Sequence, residues 1–332
     1  MKKFLIVMII LVVAVSGVFS IDVATMEKDF SIFSDNVAES LPFTSTVGLT
    51  WSDAKVRGFP HLGVGVSAGA VMIPNSAFID LADSLHFALP SEILDSEYGI
   101  PFPTYVVDAR VGIPFLPIDI GAKVGVLTPE MTESLTTDFS VDYVLAGFDI
   151  RTPIIKGNFI LPAITLSAGY NYLSGGINAS VSGVGDLSSI DLNAIPGLSD
   201  ASLTYNNPDI RFAWETHTAD FKLQASKKLL IFTPYVGLGY AYGWSKAGGG
   251  ISSKITYNNA TEDQVRDALE AAGYNVELSG DSFAILAEAT GGSLRAFGGL
   301  SVNLFILKLD LNAMYNVITE SLGASANVRI TF

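Results

Sequence analysis

The chain has 332 residues, no cysteine, a formal net charge of −14 and a mean hydropathy of +0.42. Only 16% of its residues are charged, against about a quarter in a soluble domain, and 31 residues are glycine. The lack of cysteine excludes disulfides and thiolate metal sites, and the acidic balance argues against a nucleic-acid partner. This composition favours a membrane β-protein over one or two soluble domains.

Residues 1–20 predict a secretory signal peptide. Lys2 and Lys3 precede the apolar run 4–15, and small residues follow as far as Ser20. This apolar run is shorter than the ~20 residues that a spanning helix needs, which disfavours an uncleaved membrane anchor. We expect residues 21–42 to form either a periplasmic tail or a plug in a barrel lumen, and residues 43–332 to form the barrel.

The rest of the chain contains runs of apolar and polar residues with a period of two. Each run is about as long as the ~9–11 residues that cross a bilayer as a tilted strand. Backbone polar groups in hydrocarbon must all pair, so the runs predict an all-β fold, a closed antiparallel transmembrane β-barrel. Bacterial barrels usually have an even number of strands, and we expect 10 to 14, centred on 12. The eleven runs are 43–54, 61–73, 104–113, 117–126, 141–151, 161–173, 209–217 with an extension to 226, 231–244, 293–305, 306–317 and 321–332.

Several of these strands carry charged residues on one face only. A basic side chain at the bilayer midplane costs ~2–4 kcal/mol, so we expect the charged faces to line the lumen. The predicted network balances six basic and six acidic residues, and it either fills the interior structurally or lines a pore. It comprises Asp108, Arg110, Asp119, Lys123, Asp149, Arg151, Arg211, Glu215, Arg295, Lys308, Asp310 and Arg329.

Aromatic residues and long connections complete the predicted barrel. Trp214, Tyr240, Tyr242 and Trp244 are expected in the membrane interface, where amphipathic rings collect. The four long connections lie at one rim by strict alternation, and they hold seventeen acidic and three basic residues. Short helices are predicted in two of these external loops. One spans 75–90 and the other spans 261–273, either packing on neighbouring loops or lining an apolar entrance.

The three histidines do not indicate an enzyme. His61, His86 and His217 are far apart in sequence and have no metal-ligand spacing, and no nucleophile-elbow motif accompanies them. His217 falls on the same face as Arg211 and Glu215, which we assign to the lumen. A lumen-site hydrolase built on His217 therefore stays as a minor alternative, and no metal or cofactor is expected.

The final residues SANVRITF (325–332) alternate in polarity and end on an aromatic ring. They resemble the carboxy-terminal assembly signal of bacterial outer-membrane proteins, with Val328, Ile330 and Phe332 at the apolar positions. The resemblance implies a barrel of the outer membrane that the outer-membrane assembly machinery recognises. It extends, as a barrel resemblance, over residues 43–332.

Three segments resemble an uncharacterised family of envelope barrels that is loosely similar to the long-chain fatty-acid channels. They are GFDIRTPI (147–154), LPAITLSAGYNYLSG (161–175) and ASKKLLIFTPYVGLGYAYG (225–243). The channel resemblance implies a monomer, plugged by its amino-terminal segment, that passes hydrophobic molecules. This chain has fewer predicted strands than the fourteen of those channels, a shorter segment at 21–42 and no hatch motif, so no ligand residues are carried over.

We therefore expect a non-catalytic barrel in the outer membrane of a bacterium with a double-membrane envelope. Its expected role is the passage of small compounds, including hydrophobic, fatty-acid-like ones. The alternatives are a structural or surface-interaction barrel with a blocked lumen, a general porin and the hydrolase. The expected partners are membrane lipid, the assembly machinery and small hydrophobic ligands, without nucleic acid, and the expected state is a monomer.

Overall fold

The computed structural model describes residues 38–332, apart from 57, 75–98, 131–138, 181–189, 194, 199, 206–208, 253–254, 273–275 and 280–281. The signal peptide, most of the segment 21–42 and the helix predicted at 75–90 lie outside the described residues. In the described part of the chain, no helix is long and apolar enough to cross a membrane.

Most of the described residues are in β-strands. In chain order the elements are a helix over 38–45 (α1), β1 (Leu62–Ile73), β2 (Ile100–Gly112), β3 (Asp119–Leu127), β4 (Phe139–Ile155), β5 (Ala163–Ser180), β6 (Ile190–Asp191), β7 (Ser202–Tyr205), β8 (Asp209–Ser226), β9 (Phe232–Ser252), β10 (Ile255–Asn258), α2 (Glu262–Ala271), β11 (Val276–Ser279), β12 (Ser282–Leu304), β13 (Leu307–Asn316) and β14 (Leu322–Thr331).

Ten of these strands close into an antiparallel barrel. Each of β1–β5, β8, β9 and β12–β14 pairs with its neighbours along the chain, and β14 pairs with β1 to complete the ring. At this seam Val64 lies opposite Ile330 and Val66 opposite Val328. The predicted fold class is confirmed. The count lies within the expected range, but the central expectation of twelve strands was wrong.

Residues 43–54 do not form the strand predicted for them. The helix α1 runs to residue 45, an irregular stretch follows, and the first barrel strand begins at Leu62. Phe43, Val47 and Trp51 alternate with small polar residues, as in a strand, but residues of both kinds are buried in this segment. The pattern arises because the segment lies inside the barrel, where it is surrounded on all sides. The barrel wall therefore begins after this segment and not at residue 43.

The outer surface of the barrel wall is apolar. Along β3 and β13, exposed and buried side chains alternate with a period of two, and the exposed ones include Val124, Val126, Leu309 and Leu311. Such a continuous apolar exterior would associate in water but matches the hydrocarbon of a bilayer. The wall therefore spans a membrane.

The two rims of the barrel differ in their connections. At one end the strands are joined by the short links 113–118, 156–162, 227–231 and 305–306, and we call this end the turn rim. The other end carries the long connections, as predicted, and we call it the loop rim. The longer strands β8, β9 and β12 extend towards the loop rim, where β11 pairs with the end of β12.

A small apolar core lies among the loop-rim connections, and we call this unit the cap. Its sheet has the order β10–β7–β6, and α2 packs beside it through Val265 and Leu269. The predicted capping box is present, since Thr261 and Gln264 exchange hydrogen bonds at the start of α2. The apolar stripe of α2 therefore packs on neighbouring connections, as the first of the two sequence interpretations expected. The core residues are Leu192, Ile195, Leu198, Ala201, Leu203, Val265, Leu269 and Leu278.

Candidate functional site: the plugged lumen

The inward faces of the barrel strands carry buried charged side chains. Ten residues of the predicted lumen network are buried there: Asp108, Arg110, Asp119, Lys123, Asp149, Arg151, Arg295, Lys308, Asp310 and Arg329. Two further buried residues, Asp220 and Lys222 on β8, were missed by the sequence analysis. The described interior thus holds seven buried basic and five buried acidic side chains, which replaces the predicted balance of six and six.

The larger group of these charges crosses β2, β3, β4 and β8. Arg110 contacts Asp119 at 2.7 Å and Asp149 at 2.6 Å through its two terminal nitrogens. Arg151 donates to both oxygens of Asp119, at 2.8 and 2.6 Å. Lys222 donates to Asp149 at 3.0 Å. Because every carboxylate here faces at least two cations, the burial of these charges is compensated by short, charge-assisted hydrogen bonds.

The same group continues to β12 through Asp220. Both oxygens of Asp220 accept from Arg295, at 2.8 and 2.9 Å, and Lys222 lies 3.8 Å from the same carboxylate. The network therefore joins five strands that are not all neighbours. It braces the wall across the interior.

A second group of charges surrounds Trp51. Its indole nitrogen donates to Asp108 at 2.8 Å, and the guanidinium of Arg329 lies 4.6 Å from its ring centre. Arg329 is in turn held by Asp310 at 2.6 Å and by Ser52 at 2.6 Å. Trp51 and Ser52 belong to the chain inside the barrel, so this group ties that chain to the wall.

Residues 38–54 run through the lumen from the loop side to the turn rim, and we call the segment 38–61 to which they belong the plug. Pro42 packs on Gly243, in the half of β9 nearer the loop rim. The Ala54 amide donates to the Ser226 hydroxyl at the turn-rim end of β8. The next residues lead directly into β1. The plug therefore occupies most of the length of the barrel interior.

Polar contacts hold the plug on many sides. Lys123 donates to the carbonyls of Ser45 and Val47, and Ser45 donates to Thr218 at 3.0 Å. Gln224 donates to the carbonyl of Trp51 at 2.7 Å. Among the described residues, side chains from at least seven of the ten barrel strands make hydrogen bonds or ion pairs with the plug, including Thr165 to Ala54, Arg151 to Asp53 and Lys308 to Asp53.

The plug also has an apolar contact and close backbone approaches. Phe43 and Val47 pack in a buried cluster with side chains of β1, β9, β12 and β13. A Cβ at Gly243 would lie 2.3 Å from Pro42, and one at Gly63 would lie 2.4 Å from the Trp51 ring. Larger residues at these two wall positions would displace the plug.

The predictions for the upper part of β8 were wrong. Trp214 is buried and packs edge-on to Phe102 with ring centres 5.7 Å apart, so it lies inside the barrel and not in the membrane interface. Glu215 faces outward with 44% of its side chain exposed. Arg211 lies four residues before Glu215 on the same strand and so belongs to the same face, although its side chain is not among those described. β8 crosses the bilayer nearer its turn-rim end, where Phe221 and Leu223 face outward. The charged residues near its loop-rim end therefore do not show which face of the strand lines the lumen.

His217 faces outward with Glu215. Its Nε2 lies 3.0 Å from Glu215 and its Nδ1 lies 2.5 Å from the hydroxyl of Tyr170. A hydrolase site built on His217 in the lumen is therefore wrong. No cluster of metal-ligating side chains occurs among the described residues.

The remaining predicted residues lie on the outer surface. Tyr240, Tyr242 and Trp244 form an outward row on β9, with Tyr242 and Trp244 in edge-on contact at 5.2 Å. Val328, Ile330 and Phe332 also face outward, and their role as an assembly signal stays a prediction. On the same surface, small residues of β1, β12, β13 and β14 leave a shallow apolar groove of about 570 Å³.

Comparison with known proteins places the chain in a family. A family model described as "Family of unknown function (DUF6588)" matches residues 142–332. The chain belongs to this family of unknown function. A search of curated proteins found no match.

Several solved structures are similar to the chain at low identity. The translocator domain of the autotransporter NalP from Neisseria meningitidis has 8% identity and a TM-score of 0.39, with 91% of this chain and 99% of that chain covered. The outer membrane protease OmpT from Escherichia coli has 10% identity and a TM-score of 0.35, covering 82% and 97%. The toluene transporter TbuX from Ralstonia pickettii has 9% identity and a TM-score of 0.25, covering 82% and 88%.

Proposed function

We propose that the protein is a channel of the bacterial outer membrane whose pore is closed by its own plug and opens when the plug moves. The observation that carries this proposal is the plug itself. A ten-stranded barrel encloses little more than its own side chains and one inserted segment, and residues 38–54 occupy that space. Passage through the lumen therefore requires the plug to leave or to shift.

The character of the plug contacts supports a movable segment over a fixed core. Most of them are hydrogen bonds to plug carbonyls and hydroxyls, and water can replace such bonds at small net cost. Five large apolar side chains of the plug are also buried: Leu41, Phe43, Val47, Leu49 and Trp51. These five side chains keep the plug in the lumen at rest, because exposing them to water costs free energy in proportion to their apolar area.

The charges of the lumen suggest the class of compound that passes. Asp53 leaves with the plug, and Lys123 and Lys308 then lose their plug partners. The opened lumen would carry seven basic and five acidic side chains, which favours small anions. Fatty-acid-like cargo has less support, because twelve charged side chains line the lumen and apolar ones such as Phe297 and Met314 form only part of the lining. We assign the acidic loop rim to the cell exterior and the turn rim to the periplasm, following the usual position of long connections.

A reversible crosslink tests the proposal. The chain has no cysteine, so Ser45→Cys with Thr218→Cys places a single disulfide between plug and wall, where the two hydroxyl oxygens now lie 3.0 Å apart. Conductance of refolded protein in planar bilayers is the measurement, with each single-cysteine variant as control. We expect brief anion-favouring openings in the wild type, none in the oxidised double variant, and their return on adding reductant.

Two other results would contradict the gated channel. A steady current that the crosslink leaves unchanged would mean an open general porin. Silence in the wild type and also in a plug-weakened Trp51→Ala variant would mean a barrel that never opens. That second outcome favours the structural or surface-interaction role, for which the separately packed cap at the loop rim is the supporting observation.

A further inference from the structure

The turn rim carries a ring of exposed apolar side chains at its tips. The most exposed residue of each of its four links is large and apolar: Phe115 is 105% exposed, Phe159 98%, Leu230 92% and Phe305 97%. Turns that face water are usually built from Gly, Asn, Asp, Ser and Pro. These four positions depart from that rule all around the circumference.

The backbone at three of these tips makes the departure sharper. Phe115, Leu230 and Phe305 have φ values of 67°, 53° and 60°, in the left-handed region that bulky side chains rarely adopt. Left-handed residues occur at the loop rim too, and there they are polar: Asp200, Asn259 and Glu320 have φ values of 62°, 57° and 53°. The same conformation thus carries opposite chemistry at the two rims. At these positions Asn would fit the backbone better than Phe or Leu. The apolar side chains at the turn rim therefore indicate a contact with an apolar partner.

The charged residues of the four turn-rim links all have one sign. The four links contain Lys156, Lys227 and Lys228 and no acidic residue. Lys156 and Lys228 are exposed, whereas Lys227 donates to the carbonyls of Asn158 and Phe159, at 3.0 and 2.6 Å, and so holds the 156–162 link. The turn rim is therefore apolar and basic, in contrast to the acidic loop rim.

We propose that this crown, formed by Phe115, Phe159, Leu230 and Phe305 with Lys156 and Lys228, binds the anionic phospholipids of the adjacent leaflet. The tips enter the boundary between headgroups and acyl chains, and the two lysines contact lipid phosphates. This combination of apolar and basic side chains is the one that membrane-surface segments use.

Two features favour lipid over a protein partner. The tips continue the outward apolar band of the wall, since Ile154, Leu229, Leu304 and Ile306 beside them are also exposed. They are also spread around the whole ring. A leaflet surrounds the barrel and contacts all four tips at once, whereas a docked protein would have to span the ring.

Site-specific labels test where the tips lie. Because the chain lacks cysteine, Phe115→Cys, Phe159→Cys, Leu230→Cys and Phe305→Cys each accept one environment-sensitive fluorophore. The labelled proteins are refolded sparsely into vesicles of phosphatidylethanolamine and phosphatidylglycerol, with part of the lipid brominated on its acyl chains. Asn259→Cys is the matched control, since it is an exposed left-handed position at the loop rim.

We expect brominated lipid to quench the four tip labels and aqueous iodide to leave them bright, with the reverse at position 259. Tip labels that iodide quenches as strongly as the control would overturn the proposal. That outcome would leave the ring free for a second copy or a soluble protein.

Two substitution sets test the energetics of lipid contact by urea unfolding in vesicles of defined composition. Replacing Phe115, Leu230 and Phe305 by Asn suits the left-handed backbone, so the variant should fold readily, yet its folding equilibrium should fall roughly tenfold per tip. An unchanged or raised urea midpoint would contradict lipid contact. Lys156→Gln with Lys228→Gln should abolish the stabilisation by phosphatidylglycerol relative to phosphatidylcholine, while Lys246→Gln at the loop side should keep it. Full retention in the double variant would remove the lysines from the proposal.

Discussion

The lumen and the cap are two buried regions of one chain with opposite chemistry. The cap buries Leu, Ile and Val, as a small soluble domain does, and polar residues of α2 such as Asp263, Gln264 and Glu270 are exposed. The lumen buries Arg, Asp, Lys and the plug backbone beside apolar residues such as Phe297 and Met314, and a continuous band of apolar side chains faces outward from its strands. The difference shows that the surrounding solvent decides which side chains go inside. Water around the cap expels apolar groups, while hydrocarbon around the wall expels charges.

The largest effect should come from breaking the charge network of the lumen. Asp119→Ala leaves the guanidinium groups of Arg110 and Arg151 buried without their shared carboxylate. We expect the free energy of unfolding to fall by about 3–5 kcal/mol, measured by urea unfolding in vesicles. Glu262→Gln, which removes a partly exposed ion pair with Arg266 in α2, is the control and should cost under ~1 kcal/mol. Equal costs for the two variants would erase the contrast between lumen and cap.

A cavity in the cap should have a large but local effect. Leu269→Ala removes a fully buried side chain, and we expect the cap to lose about 2–5 kcal/mol of stability. Hydrogen exchange should quicken across α2, β7 and β10, while amides in β3 and β13 keep their protection. Glu270→Ala, on the exposed face of the same helix, should change neither. If the barrel amides quicken together with those of the cap, the two regions form one cooperative unit.

A smaller effect is expected where the plug meets the wall. Trp51→Phe keeps an aromatic ring near Arg329 but removes the hydrogen bond to the buried Asp108. Leaving that carboxylate short of a donor should cost about 1–3 kcal/mol in urea unfolding, and it should also raise the frequency of channel openings. A variant that loses stability without opening more often would separate the plug contacts from gating.

The smallest effect should come from the capping box of α2. Thr261→Ala removes the acceptor for the Gln264 amide and should cost the cap about 1 kcal/mol. Hydrogen exchange of the α2 amides is the measurement, and Thr261→Ser, which keeps the hydroxyl, should keep their protection. A loss as large as that of Leu269→Ala would mean that helix capping, and not apolar packing, holds the cap together.

The barrel was predictable because membrane strands keep a strict period of two. The runs at 61–73, 117–126 and 306–317 lie close to β1, β3 and β13, since apolar and polar side chains there face two different solvents. The same logic failed at 43–54. An alternating segment with both faces buried looks like a strand until its surroundings are known, so the plug could not be recognised from its pattern.

The errors on β8 have a different cause. The prediction of which face of β8 lines the lumen was based on Arg211 and Glu215. Both lie towards the loop rim, where outward charges meet water or lipid headgroups. In the part of β8 that crosses the bilayer, Phe221 and Leu223 face outward, whereas Asp220 and Lys222 face the lumen. Reading the strand over its full eighteen residues would have found the two missed lumen residues. The ion pairs between distant strands have no such signal, because sequence alone does not give the shear of the barrel.

The covalent link between the plug and β1 determines how a displaced plug would behave. His61 and Leu62 are hydrogen-bonded to the wall at the turn rim. A displaced plug would therefore remain attached at that rim and leave the barrel on that side. Fully extended, its 24 residues would reach roughly 80 Å, far enough to clear the lumen. Return is then intramolecular, at a local concentration on the order of millimolar, and each vacated barrel recaptures its own segment without a second molecule.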